Sequence, residues 1–146
     1  MRLSKLTTQL VHCNTCKELS GSTYTLNQII PTKALKITKG DDLGKYTYKG
    51  ESSKSVHCVH YSLHNSYVQP EDEHLLMPMF WQFYCKNCTT HVYYQQEALG
   101  PDSIVPRTGL LEEGVKNFQP GAEIFGKDRL SWEKEVAQTF EVMPPS

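Results

Sequence analysis

Hydrophobic and polar positions alternate along this chain in short runs, each closed by turn residues. Residues 6–12 (LTTQLVH), 22–30 (STYTLNQII, closed by Pro31), 34–38 (ALKIT, closed by Lys39-Gly40) and 44–48 (GKYTY, closed by Gly50) have this form. So do 55–63 (SVHCVHYSL), 79–85 (MFWQFYC), 90–96 (THVYYQQ) and 103–111 (SIVPRTGLL). Period-two runs rich in β-branched and aromatic residues predict a mainly β chain of antiparallel strands joined by hairpins. In 90–96 the alternation blurs, so its buried face is not legible. Helical periodicity is confined to 127–140 (KDRLSWEKEVAQTF), where Trp132, Val136 and Phe140 fall four apart. That spacing predicts a short C-terminal helix, or a tail docked through Trp132. Residues 64–78 (HNSYVQPEDEHLLMP), with two prolines and an acidic cluster, read as a long excursion between strands.

Bulk properties narrow the picture further. A chain of 146 residues, 38% hydrophobic and 21% charged, suits one domain over 1–146 with one core. A net charge of −1 gives no electrostatic reason to expect a nucleic acid or an anionic membrane as partner. No apolar run reaches the ~20 residues that span a bilayer, and the first dozen residues are too polar for a signal peptide. The expected setting is reducing and cytoplasmic, where five cysteines serve as thiols or metal ligands rather than disulfides.

Cys13-x-x-Cys16 and Cys85-x-x-Cys88 each have the local spacing of a zinc knuckle. Spacing alone leaves three arrangements open: one shared four-cysteine zinc site, two separate ions with further ligands, or two pairs of buried inert thiols. Cys58, inside a strand-like run, reads as a packed small hydrophobe. Replacement donors are at hand in His12, His57, His60, His64, His74 and His91. A strand would turn His57 and His60 to opposite faces. Either could serve as general acid or base near neutral pH. The aromatic cluster at 79–84, with Tyr93, Tyr94 and Trp132, reads as core that can also line an apolar pocket.

The block HCNTCKELSG, the later FYCKNC, RTGLLEE, and PGAEIFGKDRLSW near the end follow one another in an order that resembles the glutathione-dependent formaldehyde-activating enzyme family, which includes centromere protein V. The resemblance spans residues 9–132. It implies a β-tent of antiparallel sheets, zinc, and the joining of glutathione to formaldehyde, a carbon–sulfur lyase reaction. The family's catalytic zinc takes three cysteines as Cys-x-Cys-x-x-Cys; here Val11 stands in the first place, beside Cys13 and Cys16. Its structural zinc pairs the later Cys-x-x-Cys with an earlier Cys-x-Cys that would lie upstream of Met1, leaving Cys85 and Cys88 without partners. Lys17 replaces the family's arginine, Thr89 its glycine, and residues 52–79 form a longer insertion.

These departures predict weakened or lost zinc sites in a divergent enzyme of this lineage. Its substrate would be a small carbonyl- or thiol-derived molecule, glutathione among the candidates, in a fungal specialised-metabolite pathway. His12, Lys17, Cys13 and Cys16 would border the pocket, with His57 or His60 as acid/base groups. Two alternatives are an isomerase or cyclase working without zinc and a non-catalytic binding or scaffold protein. Exposed strand edges allow a homodimer.

Overall fold

The computed structural model describes residues 8–38, 42–49 and 79–144. In chain order its elements are β1 (Thr8–Val11), α1 (Asn14–Ser20), β2 (Thr25–Asn27), β3 (Ile30–Pro31), β4 (Leu43–Lys49), β5 (Met79–Cys85), β6 (His91–Gln96), β7 (Ser103–Pro106), α2 (Gly114–Asn117) and β8 (Pro120–Ile124). The fold is mainly β. Among the described residues one sheet has the order β3-β7-β6-β5-β4 and the other β2-β1-β8. Among the described residues all strand pairings are antiparallel except β1 with β8, which run parallel. That exception corrects the expectation of wholly antiparallel sheets. Parallel neighbours need a long connection, and the whole chain between β1 and β8 supplies it.

The larger sheet follows the alternation closely. Phe83 stacks on Tyr93 at 4.5 Å between ring centroids on one face, while Phe80 packs against Tyr94 on the other. This settles the face of 90–96 that the sequence left blurred. Gly44 lies opposite Tyr84, whose ring occupies the space a Cβ would take, so a larger residue there would have to displace that ring. Lys49 pairs with Met79. The predicted strand over 55–63, the excursion over 64–78, His57, Cys58, His60, His64 and His74 lie outside the described residues, as does all of the 52–79 insertion except Met79.

Elsewhere tertiary pairing overrides the local pattern. The run 22–30 divides into β2 and β3, which belong to different sheets. At the break the Gln28 amide donates to the Pro106 carbonyl (3.3 Å) and Asn27 bridges to Arg107, joining the sheets. Residues 34–38 are not a strand: they follow a 3-10 turn at Thr32–Ala34 and find no ladder. Thr108–Leu110 is likewise a 3-10 turn rather than a strand continuation. β1 stops at Val11, and the chain enters α1 with the Cys13 sulfur accepting from the Cys16 amide (3.3 Å) as its N-cap. Gly21, at φ 64°, ends α1 by donating to the Lys17 carbonyl (2.8 Å), a position that favours glycine.

The C-terminal segment forms no α-helix, and it does not dock through Trp132, which is 70% exposed. Its anchor is Phe140, packed against the cluster of Val11, Cys13, Cys16, Ile124 and Phe125. The tail runs extended because the end of β8 offers it backbone partners. Glu123 donates to Gln138 (2.8 Å) and accepts from Phe140 (2.8 Å), and Gly126 donates to Phe140 (2.9 Å). Among the described residues no helix is long and apolar enough to cross a membrane.

Candidate functional site

Between the two sheets lies a cavity of about 170 Å³, walled by Val11, Cys13, Cys16, Phe80, Tyr94, Arg107 and Phe125 among others. An apolar chamber with a few convergent polar groups is the usual form of a small-molecule site. Its polar groups include the two sulfurs and the Arg107 guanidinium, with Gln9, Thr15 and Gln96 also on the wall.

The two cysteines are unlike although both are buried. The Cys16 thiol is lowered to about 6, chiefly by its hydrogen bond with Cys13. Burial opposes that shift, while the Arg107 charge and hydrogen bonds from Thr25 and Arg107 reinforce it. Cys13 is pushed up, first by that same hydrogen bond with Cys16 and then by burial. The two sulfurs share one hydrogen bond, and the Arg107 charge with the bonds from Thr25 and Arg107 favours Cys16 as the one that gives up its proton first. Burial also raises the Tyr94 phenol, which stays protonated. Arg107 is aimed by Asn27, whose Oδ1 accepts from its Nη1 at 2.8 Å, and the guanidinium carbon lies 5.8 Å from the centre of the Tyr94 ring.

His12 and Lys17 turn the other way. The His12 Nε2 is 2.9 Å from Glu123 Oε2, and its Nδ1 is 3.5 Å from Glu133. Lys17 donates to the Asp128 carbonyl. Both side chains clasp the C-terminal tail and neither lines the cavity. Cys85 and Cys88 sit at the β5–β6 hairpin. Cys88 is exposed, with its sulfur 3.1 Å from the Thr90 hydroxyl, and it lines a separate open groove of about 730 Å³ with His91. Arg107 borders both spaces.

Among the described residues no group of three or more His, Cys, Asp or Glu side chains is placed to hold a metal ion. Val11 belongs to the same buried cluster as Cys13 and Cys16, so the place of a third sulfur is filled by an isopropyl group. The cation beside Cys16 is Arg107. Two thiols with a guanidinium on one of them do not fit a three-thiolate zinc, and the Cys85–Cys88 hairpin does not by itself fit a four-thiolate one.

Residues 1–69 match the family described as glutathione-dependent formaldehyde-activating enzyme. Over that part, just under half of the chain, the sequence is similar to this family. No curated protein matches the chain. The family match covers β1 to β4 with both cavity cysteines, and β5 to β8 with Arg107 lie beyond it.

Sequence reasoning named Tyr94 as a residue that could line an apolar pocket, where it stands, but missed Thr25, Asn27 and Arg107. A signal existed for two of them: Arg107 is a lone guanidinium closing the apolar run SIVP, and Asn27 is an amide inside a strand run.

Proposed function

We propose that this protein joins a thiol to a small carbonyl compound with the Cys13–Cys16 pair as its acid/base couple, without zinc at that pair. The observation that carries this reading is two buried cysteine sulfurs and the Arg107 guanidinium on the wall of one apolar cavity, with the Cys16 thiol lowered by its hydrogen bond with Cys13 and by the Arg107 charge. Cys16 takes the proton from the substrate thiol, and the freed sulfur adds to the carbonyl carbon as its C=O π pair moves to oxygen. Cys13 gives its proton to that oxygen, and the proton on Cys16 then passes to Cys13, restoring the pair. The net change is thiol plus carbonyl to a hemithioacetal, with no proton left over. Arg107 faces the growing charge and stabilises it. A reducing cytoplasmic setting keeps both sulfurs as thiols, which the cycle requires. The segment PGAEIFGKDRLSW, residues 120–132, resembles one near the end of fungal-type members of this family, and that likeness supports a place in a fungal specialised-metabolite pathway.

A second reading rests on the same pair. Thiolate and thiol in one apolar chamber can also move a proton along a carbon skeleton, an isomerisation that forms no carbon–sulfur bond.

Exchange between labelled formaldehyde and its glutathione adduct, followed by nuclear magnetic resonance alongside metal analysis, tests the proposal. Cys16→Ser and Cys13→Ser are each expected to slow catalysed exchange by about 100-fold. Equal rates in native and variant protein would refute it, as would about one zinc per chain with activity lost on chelation. Solvent deuterium entering a carbonyl substrate without adduct formation would favour the isomerase. Ligand binding without any turnover would favour a binding protein.

A further inference from the structure

We infer that the carbonyl compound taken by the cavity between the sheets carries an apolar body about the size of one benzene ring, seated against Val105, Ile124 and Phe125. The inference rests on the reading of this cavity as the place where a thiol meets a carbonyl, and it names the class of that second partner.

The walls are graded from a dry end to a mouth. Val11, Val105, Ile124 and Phe125 line the cavity and are buried. Ile29 and Met143 line it too, yet they are 37% and 52% exposed, so the opening lies at these two side chains. Cys13 and Cys16 share a buried cluster with Val11, Ile124 and Phe125. A carbonyl held at the sulfurs therefore has its own body against apolar side chains.

Size and chemistry then select the occupant. The volume is about 170 Å³, and an apolar cavity of about 150 Å³ is enough for benzene. Formaldehyde has no carbon beyond the reacting one, so these walls add nothing to its binding. In water it is also a diol, whose hydroxyls lose hydrogen bonds on entering an apolar space. Each apolar carbon buried raises affinity about fourfold, and only a larger aldehyde or ketone has such carbons to bury. Val11 acts in the same direction: where the family that the chain resembles has a sulfur, this chain adds an isopropyl group to the wall.

Titration calorimetry of the full chain with methanol, butan-1-ol and benzyl alcohol reads the fit without any reaction, because these probes lack the carbonyl. Affinity should rise along the series, with benzyl alcohol at least about 100-fold tighter than methanol. Val105→Phe puts a ring of the protein's own into the cavity and should weaken benzyl alcohol at least about tenfold. Should that variant fail to fold, Leu99→Phe, in a half-buried turn on the same wall, takes its place. A flat series, or benzyl alcohol binding that the filled variant leaves unchanged, overturns the inference.

Adduct formation from glutathione with benzaldehyde and with formaldehyde separates this inference from the proposed reaction. Benzyl alcohol seated in the cavity, with no catalysed adduct from either aldehyde, upholds the ligand class and refutes the reaction. Catalysed adduct from formaldehyde, with no benzyl alcohol binding, upholds the reaction and overturns the ligand class.

Discussion

Glu123→Gln tests the clasp that seats the C-terminal tail. Glu123 is fully buried at the end of β8, and its two oxygens are fully committed. Oε2 lies 2.9 Å from His12 Nε2 and 3.3 Å from Arg129 Nη1; Oε1 accepts from the backbone amides of Val136 and of Ala137 (3.1 Å). A glutamine must place its NH2 group toward one of these donor pairs. Whichever it chooses, charge-assisted bonds of about 1.5–3 kcal/mol each are lost, and donors face each other. Arg129, about a quarter exposed, recovers part of its loss from water. The expected cost is about 3 kcal/mol, at the low end for a broken buried ion pair. At this chain length that is roughly a 10 °C fall in Tm.

Urea unfolding followed by circular dichroism reads the cost directly. A second signature comes from acid. Burial alone would raise the Glu123 carboxyl, but the bonds from the Val136 amide, His12 and the Ala137 amide outweigh it and hold the group below its ordinary 4.5. A carboxyl depressed on folding contributes stability that is complete above its unfolded pKa and is lost as pH falls through the folded one. The gap between native and Glu123→Gln protein should therefore narrow as pH falls below about 4.5. A cost under about 0.5 kcal/mol, the scale of an inert surface change, would refute the reasoning. So would a gap that stays constant into acid.

Two further substitutions probe the altered metal half-sites. Val11→Cys puts a third sulfur into the cluster of Cys13 and Cys16. It is expected to raise bound zinc to about one per chain by metal analysis; zinc no higher than in the native protein would mean that position 11 does not face the ligand place. Thr89 has φ 59°, a left-handed conformation costly for a β-branched residue. Thr89→Gly should relieve about 1 kcal/mol, less part of the bond from its hydroxyl to the Cys88 carbonyl (2.7 Å). A urea midpoint that fails to rise would show that this turn is not strained.

Local chemistry made the larger sheet legible. β4, β5 and β6 lie where period-two alternation put them; β5 and β6 are hairpin neighbours that need only their own pleat and turn to pair, whereas β4 finds β5 from far back in the chain. The β5–β6 turn keeps the left-handed residue a glycine would occupy, even with Thr89 in its place. The cysteine pairs were likewise visible, and Cys13 and Cys16 do face one cavity. Helix α1 was harder to read, since seven residues carry little periodicity and its cap is a cysteine sulfur rather than the usual oxygen.

What the tertiary structure decided is who meets whom. The spacing of Trp132, Val136 and Phe140 suits a helix, yet the backbone and carboxylate at the end of β8 bind that segment as an extended tail and draw His12 away from the cavity. Arg107 stands 80 residues from Asn27, and no local pattern relates them. They touch because the chain changes sheets at Gln28, and that crossing sets a guanidinium beside a sulfur. Alternation acts between residues one or two apart and can be read from order alone. The Cys16 thiol is lowered first by its near neighbour Cys13, but the reinforcement from Arg107 and Thr25 needs groups that only strand pairing brings together.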